Sequence, residues 1–360
     1  HGRPQGLGHH GDPGMSLLAA APPPPHDPSR ADPRLTHLLS QWKHSSPLIG
    51  ARFDPTGRFV FAGAQDNAVV RWSLADGKST LFQGHRSWVR GLAFSLAHRL
   101  LFTADWAGKL LAWRIDDDKP APVANLVAHQ GWVRALAVSP DGRTLASCGN
   151  DHLVKLWSLP DLRPIRALSG HDCHVYNVGF HPREGSLVSA DLKGRLKVWD
   201  PSAGKLLREW SGSTLHKYDS GFGADIGGIR SMAFTPDGTL LACAGITNVS
   251  NAFAGVGNPL VVVFDWASGK IKIELKTKSN FQGTAWGVVC HPQGYILGVG
   301  GGNGGALWAW KPDNALEFHT LALPDNARDL DLHPDRRRLA IPCHDGFLRV
   351  YDQFAKVVKK

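Results

Sequence analysis

Short runs of alternating apolar and polar residues recur along the chain, and many of them close on an aromatic residue. The closing residues are Trp72, Trp113, Trp157, Trp199, Phe264, Trp310 and Tyr351. Five of the six gaps between them are 41 to 46 residues, and the sixth is longer by an insertion. Alternation with a period of two is typical of strands. A repeat of this length is typical of the four-stranded blades of a β-propeller.

Turn sequences separate the runs, as expected of hairpins rather than helices. Pro-Asp-Gly follows Ser139 and again follows Thr235, and His-Pro pairs begin at His181, His291 and His333. The sequence therefore predicts an all-β fold: a single seven-bladed β-propeller of four-stranded antiparallel blades.

The predicted propeller covers residues 34–354 and closes through its N-terminal strand. The seventh unit supplies three strands ending at Tyr351, and residues 35–42 can complete that blade as its outer strand. Pairing of this kind removes an exposed sheet edge. Residues 1–33, which are rich in Gly, His and Pro, are predicted to be a disordered tail, and residues 355–360 a basic tail.

The third unit resembles a WD repeat most completely. His129 is followed by Trp132-Val133-Arg134, then by Ser147, Asp151 and Trp157 at the family spacings. The resemblance implies that His129, Ser147, Asp151 and Trp157 form a buried hydrogen-bonded tetrad. Linked polar groups satisfy one another when they are buried, so such a tetrad would stabilise the blade.

The other units match this pattern with gaps. Lys193 occupies the turn Asp position of the fourth unit, Ala107 occupies it in the second, and Ala62 replaces the Ser of the first. Units five to seven lack the first His. We therefore expect the tetrad to be complete only in the third unit.

Aligning the units brings out a second set of residues. Five positions after each tetrad His, or its equivalent, stand Ile49, Arg90, Arg134, Tyr176, Arg230, Trp286 and Arg328. The resemblance implies that this position lines one mouth of the central channel. Trp88 and Trp132 stand two positions earlier in their units, and Trp106 lies in a neighbouring turn. Arginine and tryptophan together are typical of binding hot spots, although a single Arg here is also a common rim residue of the family.

The fifth unit contains an insertion, residues 245–259, where the other units have a short turn. We expect a long loop there, between a strand ending near Ala244 and one at Leu260. Because turns between the second and third strands project towards the same mouth, the loop is expected to form one wall of it.

The charge distribution and the absence of catalytic motifs narrow the range of possible functions. The net charge is +9, spread over the blades rather than gathered in one run. The sequence contains no His-Glu-x-x-His, Cys-x-x-Cys or Gly-x-Ser-x-Gly motif, so we expect no catalytic residue, no metal and no cofactor. Five cysteines without a spacing motif, together with the lack of a membrane-length apolar run, favour reduced thiols in a soluble cytoplasmic protein.

The sequence predicts a non-enzymatic scaffold, a monomer or part of a hetero-complex, that binds an acidic or phosphorylated protein segment at the Arg/Trp-lined mouth. Two alternatives stay open: a nucleic-acid-associated propeller that uses its basic surface, and a propeller enzyme with its site at the channel mouth.

Overall fold

The computed structural model describes residues 30–251 and 255–355. Two three-residue 3-10 helices lie at Pro33–Leu35 and Ser213–Leu215. The strands of blades 1 to 4, in chain order, are β1 (His37–Lys43), β2 (Leu48–Phe53), β3 (Phe59–Ala64), β4 (Val69–Ser73), β5 (Ser79–Phe82), β6 (Val89–Ser95), β7 (Leu100–Asp105), β8 (Lys109–Arg114), β9 (Ala124–Val127), β10 (Val133–Val138), β11 (Thr144–Gly149), β12 (Val154–Ser158), β13 (Arg163–Leu168), β14 (Val175–Phe180), β15 (Leu187–Asp191), β16 (Arg195–Asp200) and β17 (Lys205–Ser211).

The remaining strands begin with a short two-stranded hairpin. They are β18 (His216–Asp219), β19 (Ala224–Gly227), β20 (Ser231–Phe234), β21 (Leu240–Asn251), β22 (Val256–Asp265), β23 (Ile271–Leu275), β24 (Gly283–His291), β25 (Tyr295–Gly302), β26 (Gly304–Trp310), β27 (His319–Leu323), β28 (Asp331–Leu332), β29 (Arg338–Pro342) and β30 (Phe347–Asp352). Within the described ranges, no helix is long and apolar enough to cross a membrane.

The strands pair as a seven-bladed β-propeller over the described residues. Blades 1 to 6 are four consecutive antiparallel strands each: β2–β5, β6–β9, β10–β13, β14–β17, β20–β23 and β24–β27. The β18–β19 hairpin lies between blades 4 and 5. Blade 7 has the order β28-β29-β30-β1, so the strand from the N-terminal end of the ring completes the last blade. The predicted fold and its closure are confirmed.

Closure depends on β1, which pairs antiparallel with β30 from His37 opposite Asp352 to Lys43 opposite Phe347. Ahead of β1, the backbone N–H of Asp32 donates to the carbonyl of Gln353 at 2.8 Å, and Ala31 is buried. Contacts with the propeller thus begin before residue 34. The predictions for the two tails otherwise concern residues 1–29 and 356–360, which lie outside the described residues.

The hydrophobic core is divided among the seams between neighbouring blades. In blade 5, Leu241 packs with Val188 of blade 4, whereas the adjacent residue Ala242 packs with Trp308 of blade 6. Successive residues of a strand point to opposite faces of its sheet. Both faces of a blade are therefore buried, which explains why a second strand such as β7 or β15 is buried along its whole length.

The insertion of blade 5 lengthens a hairpin instead of forming a loop. β21 continues to Asn251 and β22 begins at Val256. The expectation that these strands end near Ala244 and resume at Leu260 is wrong, because the inserted residues continue the antiparallel pairing and so satisfy their backbone groups. The ammonium group of Lys217, on the β18–β19 hairpin, donates to the carbonyl of Val249 at 2.7 Å and ties the two hairpins together.

Candidate functional site at the channel mouth

β-Bulges place the residues at the predicted mouth. Pairing between the first and second strands of a blade shifts register on either side of Ile49, Arg90, Arg134, Tyr176 and Trp286. A bulge leaves one residue outside the ladder and re-aims its side chain. In several blades the side chain at this repeat position therefore departs from the regular alternation between the two faces of the sheet. This is the same position that the sequence alignment selects.

Several side chains from this repeat position form one continuous cluster with neighbouring tryptophans, and we call this cluster the aromatic–arginine array. The rings of Trp106 and Trp132 are nearly parallel with centroids 3.9 Å apart, and the tilted ring of Trp88 has its centroid 4.7 Å from that of Trp106. Each following guanidinium lies between two aromatic rings or against one. The array consists of Trp88, Trp106, Trp132, Arg134, Tyr176, Arg230, Trp286 and Arg328.

Cation–π contacts hold the guanidinium groups of the array. The Arg134 guanidinium carbon lies 4.2 Å from the Trp132 ring centroid and 4.4 Å from that of Tyr176. That of Arg230 lies 4.8 Å from Tyr176 and 5.2 Å from Trp286. Such contacts fix the position of a cation without neutralising its charge. The array therefore presents ordered positive groups.

Arg90 differs from the other predicted mouth residues because its side chain reaches across the channel. Its Nη1 donates to the carbonyl of Ile49 at 2.9 Å, and its Nη2 donates to the carbonyl of Arg230 at 3.4 Å. Blades 2 and 5 are thereby bridged below the array. Its bonds to two backbone carbonyls draw the Arg90 side chain into the channel, so Arg90 is not a member of the array.

A second polar cluster lies inside blade 3. Nδ1 of His129 is 2.7 Å from a carboxylate oxygen of Asp151, and Nε2 is 2.8 Å from the hydroxyl of Ser147. The indole N–H of Trp157 donates to the same hydroxyl at 2.9 Å. The ring of the His and the side chain of the Ser are almost completely buried, and their polar atoms have partners.

Blades 2 and 4 contain the same tetrad, so the expectation of a single complete tetrad is wrong. In blade 2, His85 pairs with Asp105 at 3.0 Å and with Thr103 at 2.6 Å, and Trp113 donates to Thr103. The carboxylate lies two residues after the hydroxyl residue, on the same face of the strand, rather than four residues after it in the turn.

In blade 4 the carboxylate again comes from the end of the second strand. Nδ1 of His171 is 2.8 Å from Asp191, and Ser189 takes the hydroxyl place with Trp199 donating to it. The residues that stand at the family spacing, Ala107 and Lys193, are therefore not needed for the network. Blade 1 matches its sequence, since His44 contacts Asp66 at 2.7 Å but Ala62 provides no hydroxyl.

Comparisons with known proteins agree with this architecture. The model of the family described as WD domain, G-beta repeat, matches residues 78–114, 120–158 and 162–200, and each match spans the outer strand of one blade and the first three strands of the next, in blades 2 to 4. These are the blades that contain the tetrads. The chain folds as a seven-bladed β-propeller that contains three matches to the WD repeat.

Several known proteins are similar to parts of the chain. Apoptotic protease-activating factor 1 of Homo sapiens is 25% identical over 209 residues, covering 57% of the chain and 16% of that protein. WD repeat and FYVE domain-containing protein 2 of Caenorhabditis elegans is 28% identical, covering 44% and 38%. Guanine nucleotide-binding protein subunit beta-like protein 1 of Mus musculus is 26% identical, covering 47% and 50%. The chain thus spans between about a sixth and half of the length of these relatives.

Burial destabilises the charges of several arginines at the channel mouth. Burial, with a smaller contribution from the neighbouring charges of Arg230 and Arg90, lowers the pKa of Arg134 to about 10. Burial also lowers the pKa of Arg328 and of Arg90. Because a guanidinium stays protonated in proteins, the lowered values mean that each cation lies where its charge is destabilised.

Several polar atoms of the array are also unpaired. Within the described residues, the indole nitrogens of Trp106 and Trp286 and the Nε atoms of Arg230 and Arg328 are buried without a hydrogen-bond partner. Most buried polar groups in proteins have a partner, so such exceptions require an explanation. Donors left open beside destabilised cations are suited to an incoming acceptor with negative charge.

The structure adds residues that the repeat alignment misses. The Nε of Arg134 donates to the Asn150 side chain at 2.8 Å, which orients its guanidinium. Deeper in the channel, Arg52 pairs with the buried Asp329 at 2.6 Å. Burial raises the pKa of the neighbouring Asp331 to about 6, which the charge of Arg52 opposes. The sequence gives little indication of the roles of these residues, because the roles depend on contacts between segments that are distant in the chain.

The cysteines are buried and unpaired. Within the described residues, Asp172, Cys173 and Asp191 form a group with ligand atoms close enough for a metal. Asp191, however, already accepts from His171 in its tetrad, and burial raises the pKa of the Cys173 thiol to about 11. A thiol binds metals as the thiolate, so this group is poorly suited to a metal.

Proposed function

We propose that this WD-repeat propeller is a non-enzymatic scaffold that binds an acidic or phosphorylated segment of a partner protein at the aromatic–arginine array. Propellers of this family generally bind protein partners. The observation that carries the proposal is the combination of ordered guanidinium groups with buried, unpartnered donors.

The chemistry of the array fits carboxylate or phosphate groups. Arg offers a planar fork of donors that matches both anions, and charge-assisted hydrogen bonds are about twice as strong as neutral ones. Aromatic rings add contact area at low cost in conformational entropy, as in protein-binding hot spots. Trp88, whose side chain is among the exposed large apolar groups, offers the partner a ring face.

The nucleic-acid alternative needs rings on which bases can stack. The Trp106 ring contacts the rings of both Trp88 and Trp132, and the Tyr176 ring contacts the guanidinium groups of both Arg134 and Arg230. The ring faces of the array are thus largely occupied by its own members. This favours a peptide whose acidic groups reach the guanidinium donors from above.

A peptide array tests the proposal directly. Acidic, phosphorylated, neutral and basic sequences would be probed with the wild-type protein, with Arg134→Gln/Arg328→Gln, and with Arg163→Gln as a control that removes the same charge from a side chain that is 80% exposed. Arg90 is left intact because its side chain bridges the channel.

We expect the wild type and Arg163→Gln to retain acidic and phosphorylated sequences. The double variant should bind them at least about tenfold more weakly, since losing a partner of a buried charged hydrogen bond costs about 2 kcal/mol or more. Binding should weaken as salt rises, because exposed charges are screened over about 8 Å at physiological ionic strength. Equal binding by the double variant, or a preference for basic sequences, would reject the proposal.

A further inference from the structure

A cavity of about 180 Å³ lies in the central channel beneath the array. It draws side chains from six blades, and the polar and charged ones that matter here are Arg52, Arg90, Arg134, Asn177, Arg230 and Asp329. Typical sites for small molecules measure roughly 300 to 1,000 Å³. This cavity is too small for a whole ligand of that kind but large enough for the end of one side chain.

The charges of the cavity do not balance. Its carboxylate, Asp329, is already engaged by Arg52 at 2.6 Å and by the backbone N–H of Leu330 at 2.9 Å. Among the ion pairs of the described residues, none joins Arg90, Arg134 or Arg230 to a carboxylate. Asp329, which acts on Arg90 without an ion pair, is thus the single carboxylate that lines the cavity against four guanidinium groups.

The donors that remain open come from different directions. Arg134 enters from blade 3 and is oriented through its Nε by Asn150. Arg230 enters from blade 5, and its buried Nε has no partner. Arg90 enters from blade 2 and is fixed by the carbonyl of Ile49. A planar carboxylate is best matched by the fork of one Arg, whereas a phosphate has three acceptor oxygens directed to different sides and a charge near −2.

We propose that this cavity binds the phosphate group of one phosphorylated side chain of the partner segment, with Arg134 and Arg230 as its principal donors. The inference rests on the proposed function, because the array above would hold the acidic flanks of the same segment. It goes beyond that function in requiring a phosphate, and not only negative charge, at one position of the peptide.

Tryptophan fluorescence and calorimetry of the whole protein can test the inference, since Trp132 lies against Arg134. The probes are a short Asp/Gly peptide with one central phosphoserine, its Glu and Ser counterparts, inorganic phosphate, and AMP, all at one ionic strength. The variants are Arg230→Gln, which changes the cavity, and Arg328→Gln, which changes the array without lining the cavity.

We expect the phosphoserine peptide to bind the wild type at least about tenfold more tightly than the Glu peptide. Arg230→Gln should remove most of this difference, whereas Arg328→Gln should weaken both peptides and keep it. Inorganic phosphate should compete with the phosphoserine peptide at high concentration.

The wild-type comparison alone can overturn the inference, whether or not a variant folds. Equal binding of the phosphoserine and Glu peptides would reject the phosphate cavity and leave the proposed function standing. Failure of all three peptides to bind would reject both. Tighter binding of AMP than of the phosphoserine peptide would mean that the cavity is part of a nucleotide site and would overturn the assignment to a protein side chain.

Discussion

The tetrads and the aromatic–arginine array both combine tryptophan with buried polar groups, yet the polar atoms are paired in the tetrads and partly unpaired in the array. In blade 2, the side chains of His85 and Asp105 are fully buried and bonded to each other, and Thr103 links the same His to Trp113. In the array, the buried Nε of Arg230 and the indole nitrogen of Trp286 have no partner.

This difference distinguishes two roles that buried polar groups can have, one in folding and one in binding. Networks whose members satisfy one another stabilise a unique packing at little cost. Unpaired donors and destabilised cations lower stability, so they are expected where a partner will complete them. Changes in the tetrads should therefore affect folding, and changes in the array should affect binding.

The largest expected effect is in a tetrad. Asp105→Ala leaves His85 buried without its carboxylate, so the free energy of unfolding should fall by about 3 kcal/mol. Asp66→Ala in blade 1 is the matched control, because its carboxylate also contacts a His but is 38% exposed. It should cost less than about 1 kcal/mol. Urea unfolding measures both, and equal losses would show that burial does not give the tetrad its strength.

A smaller loss is expected from Thr103→Val, which keeps the shape of the side chain and removes its hydroxyl. The indole N–H of Trp113 and Nε2 of His85 would both lose their partner. We expect unfolding to become easier by about 2 kcal/mol, with peptide binding at the array unchanged. A variant as stable as the wild type would mean that the hydroxyl contributes nothing beyond its volume.

Acidification should weaken folding through the buried histidines. Burial lowers the pKa of His129 and of His291 below the ordinary value of 6.5. Both stay neutral in the folded protein while the unfolded chain takes up protons, so stability is lost as the pH falls below about 6.5. Protonation of Asp331, whose pKa burial raises to about 6, acts in the opposite direction, so the test uses an Asp331→Asn background. In that background the free energy of unfolding should drop by about 1 kcal/mol or more between pH 7.5 and pH 5.5. A flat or rising profile would contradict this assignment.

The smallest expected effect is in the array. Arg134→Gln removes a cation from the neighbourhood of Arg90 and Arg230, which offsets the loss of its contacts with Trp132 and Asn150. The free energy of unfolding should stay within about 0.5 kcal/mol of the wild type. A loss as large as that of Asp105→Ala would mean that the array is a structural network like the tetrads.

The sequence predicts those features that depend on the repeat. The spacing of the closing aromatics specifies the blades, and three strands in the last unit specify the closure by β1. Alignment also finds the array, because one bulged position recurs from blade to blade. Each of these follows from local pattern and period.

Features that depend on contacts between distant parts of the chain are harder to predict. Asp105 and Asp191 complete their tetrads from the end of a strand, whereas Asp151 does so from a turn. A carboxylate at either position can reach the tetrad His of its own blade. The bridge from Arg90 to the carbonyl of Arg230 crosses the channel. The pairing of Arg52 with Asp329 joins opposite ends of the chain.

The central claim is that the array serves binding and the tetrads serve folding. Its most direct test is calorimetric titration of one acidic phosphoserine peptide into the wild type, Asp105→Ala and Arg134→Gln/Arg328→Gln under conditions where all three are folded. We predict equal affinity for the wild type and Asp105→Ala and at least about tenfold weaker binding by the double variant. Wild-type affinity in the double variant, or loss of binding only in Asp105→Ala, would contradict the claim.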